Sequence, residues 1–137
     1  MSARLCILLA ALLAAACAPE GPPLSAEDVV VTRPLPGSGM SAGYLTLSNR
    51  SAEDIVVTRV ASPEFASVTI HESVLEDGIS RMRPLASLVV PARGAIRLEP
   101  GGRHLMLHGA DPATSTVTLQ FYAGDTPLLT VRTALKD

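Results

Sequence analysis

Short runs rich in β-branched residues, each closed by glycine, proline or asparagine, leave this chain few ways to fold. The runs fall at 28–33, 42–48, 54–61, 67–72, 79–84, 95–98, 103–108, 114–122 and 128–134, and each reads as a strand. Between them stand the turn formers Pro36-Gly37, Asn49-Arg50, Asp77-Gly78, Pro100-Gly101-Gly102 and Gly124-Asp125. None of these segments keeps a helical period over three turns. Many short strands at such spacing predict an all-β single domain, an antiparallel sandwich or barrel.

The N-terminus is set apart from that pattern. After Arg4, residues 5–16 read LCILLAALLAAA, apolar throughout. A mature membrane helix needs about 20 such residues, and Pro19, Gly21, Pro22 and Pro23 would detach a buried helix from any domain. A short basic start, an apolar core and small residues at its end predict a secretory signal peptide over 1–16. Ala14-Ala15-Ala16-Cys17 resembles a bacterial lipobox in which Cys17 is lipidated, although Ala14 stands where leucine is usual. Ordinary cleavage after Ala16 or Ala18 is the alternative. Residues 17–25 are then a flexible tether and 26–137 the folded domain, placed in the periplasm or cell envelope and lipid-anchored through Cys17.

The remaining residues, about 120, suffice for one core and not for two. Cys6 leaves with the signal peptide, so the mature domain has no internal disulfide and no thiolate ligand. A net charge of −2 gives no basis for nucleic-acid binding. The only aromatic residues are Phe65, Phe121, Tyr44 and Tyr122, too few for stacking platforms.

Successive residues of a strand face opposite sides. In 67–71, Val68 and Ile70 share one face, while His71 lies with Ser67 and Thr69 on the other. In 103–108, Leu105 and Leu107 share a face, and His104, Met106 and His108 line the opposite one. The histidines therefore avoid the apolar face in both strands. His71 and Met82 flank Asp77-Gly78 as if on the two arms of a hairpin, and Met82 stands between Arg81 and Arg83, a poor place for a core-filling methionine. A lone histidine or methionine is more often structural; a His-x-Met pair facing away from the leucines makes a metal site a serious competitor. Thioether sulfur is soft and imidazole borderline, a set that suits Cu(I). Zinc would recruit thiolate, imidazole or carboxylate, and magnesium or calcium would require oxygen. Outside the cytoplasm thiols are drawn into disulfides, whereas methionine offers sulfur without cross-linking.

The spacing resembles that of a known family, the periplasmic copper chaperones called PCu(A)C, whose motif is His, ten residues, Met, twenty-one residues, then His-x-Met. Here His71 is followed after ten residues by Met82, and after twenty-one more by His104-Leu105-Met106. Similar text surrounds the motif: Gly43-Tyr44-Leu45-Thr46-Leu47-Ser48-Asn49, Asp77-Gly78, Arg81-Met82-Arg83-Pro84-Leu85, Val90-Pro91 and Pro100-Gly101-Gly102. The resemblance implies a cupredoxin-like Greek-key β-sandwich, with His71, Met82, His104 and Met106 as copper ligands. It further implies a carrier of Cu(I), delivering towards the binuclear copper centre of cytochrome c oxidase subunit II or to other copper-assembly proteins; a monomer is expected.

Two departures stand out. Ser73 and Ile79 occupy places where relatives often have methionine, and the chain ends Ala134-Leu135-Lys136-Asp137, without the His/Met-rich tail that takes Cu(II) in many relatives. A second copper site is therefore not expected. His108 is expected to be a solvent-facing structural residue, with assistance to the copper site as the alternative. Arg81, Arg83 and Arg103 are expected to be ordinary solvated strand residues, with a basic docking rim as the alternative.

Competing functions are copper sequestration without delivery, which needs the same ligands, and a structural envelope lipoprotein. An enzyme is not expected: the chain has no Gly-x-Ser-x-Gly elbow and no His-Glu-x-x-His. A blue-copper or oxidase centre would call for a cysteine or a larger histidine set.

Overall fold

A computed structural model describes residues 21–34, 36–111 and 113–137. The expected signal peptide, Cys17 and the start of the expected tether lie outside the described residues. Eleven strands follow one another: β1 (Leu24–Thr32), β2 (Met40–Asn49), β3 (Ile55–Val57), β4 (Arg59–Ala61), β5 (Phe65–Glu76), β6 (Ile79–Pro84), β7 (Leu88–Val90), β8 (Ala95–Leu98), β9 (Arg103–Ala110), β10 (Thr116–Ala123) and β11 (Thr126–Lys136). No helix occurs among the described residues.

The strands run β4-β10-β11-β1-β2-β9-β5-β6, with β8 also paired to β2 and with β3-β7 as a separate ribbon. Every pairing is antiparallel except that of β1 with β11, a short parallel contact of Val31 with Leu135 and Thr32 with Lys136. One core cluster takes Leu45, Leu105, Leu107 and Ile70 from one end of this path and Val60, Val117, Leu119 and Phe121 from the other. The two ends therefore form layers that share a single interior. The expected all-β sandwich is what the chain adopts, and the reason is visible in β10, where Val117, Leu119 and Phe121 alternate inward and are fully buried. Each such side chain contributes about 2 kcal/mol through removal of apolar surface from water.

Most strand ends shift by one to four residues from expectation, and three differences change the pattern itself. β1 begins at Leu24, whose side chain is completely buried, so the last residues of the expected tether belong to the sheet. The single run over 54–61 is divided at Thr58 into β3, which pairs β7, and β4, which pairs β10. β7 itself is too short to show alternation in the sequence, yet its Leu88 and Val90 are both in the core.

Two polar groups fasten the layers. Asn49, buried at the end of β2, donates through Nδ2 to the carbonyls of Glu53 (2.7 Å) and Val90 (3.1 Å). Its Oδ1 accepts from the Ser51 amide and hydroxyl, at 2.9 and 2.7 Å, so the side chain is fully satisfied. Glu64 accepts from the Thr118 amide (2.9 Å) and hydroxyl (2.8 Å) and from the Ser62 hydroxyl (2.8 Å).

Candidate metal centre

The local cause of the site is a tight turn. Asp77 and Gly78 both have positive φ, 52° and 77°, the arrangement of a two-residue hairpin turn whose twist matches its strands. Such a loop fixes the register: Glu76 faces Ile79, Ser73 faces Met82 and His71 faces Pro84. Directly opposed residues share a sheet face, and so do residues two apart on one strand. Met82 is therefore on the His71 face. One residue more or less in the gap between them would have turned Met82 to the other side.

The second half of the site comes from β9, which pairs with β5 so that His71 faces His104 and Thr69 faces Met106. All of the expected ligands, His71, Met82, His104 and Met106, thus lie on one face of the three adjacent strands β9, β5 and β6. His71 is central. It stands directly opposite His104 and diagonal to both methionines, which lie on opposite sides of the histidine pair along the strands. Diagonal neighbours are about 7–8 Å apart at Cα, within reach of a methionine side chain. The other face of β5 and β9 carries Ile70, Leu105 and Leu107 into the core.

The environments of the donors differ. His104 is only 5% exposed, and its Nδ1 lies 3.0 Å from the Gly102 carbonyl. A carbonyl accepts only, so Nδ1 carries the proton and Nε2 keeps its lone pair, the usual way a backbone group sets a ligating histidine. His71 Nδ1 is buried with no hydrogen-bond partner among the described residues. Burial holds the His71 pKa below the ordinary histidine value, and the neighbouring charges of His104 and His108 act in the same direction. A neutral imidazole with an unpartnered buried nitrogen is suited to accept a cation. Met82 is 60% exposed, so it is not core filler and marks the open side of the site.

Among the described residues, no group of three or more His, Cys, Asp or Glu is placed to hold a metal ion. The donors that this face does bring together are imidazoles and thioethers, a set that suits soft ions. The flanking arginines point elsewhere. Glu76 pairs with Arg83 and, at 3.5 Å, with Arg81, while Arg103 pairs with Glu72 at 3.3 Å. By register these side chains occupy the opposite face of the hairpin from Met82. They form local ion pairs, not a free basic rim around the donors.

The histidine face extends further along β9. Met106 faces Ala42 of β2, and His108 faces Met40 on one side and Ser67 on the other. Sequence alternation placed His108 on this face but gave no neighbour for Met40, because nothing local tells which strands pair.

Residues 24–133 match the family model described as "Putative lipoprotein LpqE-like". A curated relative, "Putative lipoprotein Lxx21020" of Leifsonia xyli subsp. xyli (strain CTCB07), is 32% identical over 96 residues, 66% of this chain. The chain spans 58% of the length of that relative. Among solved structures, that of CuI-DR1885 from Deinococcus radiodurans is 28% identical, with a TM-score of 0.63, covering 90% of this chain and 83% of the other. The copper-bound PCuAC domain from PmoF2 has a TM-score of 0.65 at 18% identity, covering 83% of this chain and 92% of the other. These likenesses agree with the strand layers described above, and the fold is a cupredoxin-like β-sandwich. The family match runs from the first residue of β1 into β11, and the chain belongs to the LpqE-like lipoprotein family.

Proposed function

We propose that this protein is an envelope carrier of Cu(I), bound by His71, Met82, His104 and Met106. The observation that carries the reading is the register of β6, β5 and β9, which sets those donors on one sheet face. The orphaned His71 nitrogen and the exposed Met82 support it, as do copper-bound structures of similar fold.

The chemistry favours carrying over trapping. All the proposed ligands are neutral, so the bound ion keeps its charge and is held without a compensating anion. His104, buried and fixed by Gly102, anchors the ion from within. Met82 lies on the solvent side of an edge strand, where a partner's ligand can displace it first. The chain's own residues perform no bond-making step, and the role is not enzymatic. A lipidated Cys17, with the residues before Leu24 as a spacer, would hold the carrier at a membrane; the lipoprotein family supports this reading. Delivery towards the binuclear copper centre of cytochrome c oxidase subunit II is the proposed destination.

Anaerobic titration of the purified protein with Cu(I) against a chromophoric chelator tests the site. Stoichiometric retention by the unchanged protein and loss in the His104→Ala/Met106→Ala variant are expected; equal retention by both would refute the assignment. Deleting the gene separates delivery from sequestration. Lowered oxidase activity at limiting copper is expected for delivery, whereas sensitivity to excess copper with normal oxidase would indicate sequestration.

A further inference from the structure

Met40 opens β2 and is 42% exposed, so it gains little from core burial. Across the β2–β9 ladder it directly faces His108. Opposed side chains of an antiparallel pair have Cβ atoms about 5 Å apart on one face, so a thioether and an imidazole stand side by side here. The backbone on both sides of the pair is pinned. The Gly109 amide donates to the Gly39 carbonyl at 3.1 Å, and the Met40 amide donates to the Ser38 hydroxyl at 3.3 Å. Gly109 has φ 69°, and a Cβ added there would come within 2.8 Å of the Ala66 Cβ, so this segment is held against β5 as well.

Along β9, Met106 is two residues from His104 and two from His108. It is therefore adjacent to the main donor set on one side and to the Met40–His108 pair on the other. Its partner on β2 is Ala42, whose single-carbon side chain adds little bulk between the two. The donors form a diagonal series across the sheet: Met82 on β6, His71 on β5, His104 and Met106 on β9, then His108 with Met40 on β2.

We propose that Met40 and His108 form a second, weaker contact for Cu(I), sharing Met106 with the main centre. The ion then steps between the two by exchanging ligands at Met106 without leaving the sheet face. This rests on the proposed reading of the main centre and adds a route onto and off it. No electron is transferred, since the ion stays monovalent and only neutral donors exchange.

The test uses Ag(I), a redox-inert monovalent probe, titrated into the purified protein carrying 13C-methyl methionine. The Met82 and Met106 methyls and the His71 and His104 rings are expected to shift up to one equivalent. Met40 and His108 are expected to respond between one and two equivalents, with affinity at least about tenfold weaker. Met40→Leu and His108→Phe should each abolish the second step and leave the first. A Met40 methyl that never moves, or that moves equally in His108→Phe, overturns the second contact. A His71→Ala/His104→Ala variant should lose the first step and keep the second. A first step missing from the unchanged protein would instead overturn the main centre, so the two failures are distinguishable.

Discussion

His71 and His104 face each other across the β5–β9 ladder with ring centroids 6.0 Å apart and planes inclined by 67°. An ion held between two imidazoles needs a separation on the order of 6 Å: about 2 Å for each metal–nitrogen bond and about 1 Å from each nitrogen to its ring centre. The pair is already at that spacing, which fits the proposed site without a shift of the strands.

The unequal hydrogen bonding of the two rings separates copper binding from stability. A buried polar nitrogen without a partner costs about 1–3 kcal/mol, and His71 Nδ1 is such an atom. His71→Leu is therefore expected to leave the metal-free protein as stable as before or up to about 1 kcal/mol more stable, while Cu(I) affinity falls by about 100-fold or more. His104→Leu should lower both, because it removes the Nδ1 hydrogen bond to the Gly102 carbonyl and leaves that oxygen with the Ser73 amide alone. Urea denaturation beside chelator competition checks the pair of outcomes; a clearly destabilised metal-free His71→Leu protein would contradict the account.

The turn that sets the Met82 register can be weakened without touching a ligand. Gly78 has φ 77°, and a Cβ there meets nothing within 4 Å, so the penalty for Gly78→Val is backbone strain alone. A loss of about 1–2 kcal/mol is expected, with weaker Cu(I) binding. Gly124→Val is the control, since Gly124 has φ 58° in the β10–β11 turn, with equally open space and no ligand nearby. Similar loss of stability with unchanged copper affinity is expected there, read by the same two assays.

Acid sensitivity should trace partly to Glu64. Burial raises its pKa, but the hydrogen bonds from the Thr118 amide, the Ser62 hydroxyl and the Thr118 hydroxyl outweigh this and leave it below the ordinary value of 4.5. The folded state thus favours the carboxylate. Its stabilisation is fully present above the unfolded pKa and is lost as pH falls through the depressed folded value. Glu64→Gln should be less stable than the unchanged protein at pH 7, with the difference shrinking towards about pH 3. Unfolding curves at both pH values measure it; a difference independent of pH would show that the carboxylate charge contributes nothing.

Much of the centre was legible because its causes are local. The alternation in 103–108 set His104 and Met106 against Leu105 and Leu107, and the burial of the leucines agrees. Asp77-Gly78 announced the hairpin that joins His71 to Met82. The pairing of β5 with β9 was not legible, since residues 67–72 and 103–108 carry no local mark of their neighbour. For the same reason Met40 had no partner until the β2–β9 register was known. β7 escaped because three residues cannot display a period, and Leu24 escaped because a proline-rich approach conceals a buried first strand residue.

X-ray absorption at the copper edge reads whether one sheet face holds Cu(I) through paired imidazoles and thioethers. The sample is the purified protein loaded anaerobically with one equivalent. Monovalent copper with both sulfur and imidazole nitrogen neighbours is expected, with loss of the sulfur contribution in the Met82→Leu/Met106→Leu variant. A spectrum of nitrogen and oxygen neighbours alone, unchanged in that variant, would contradict this ligand set.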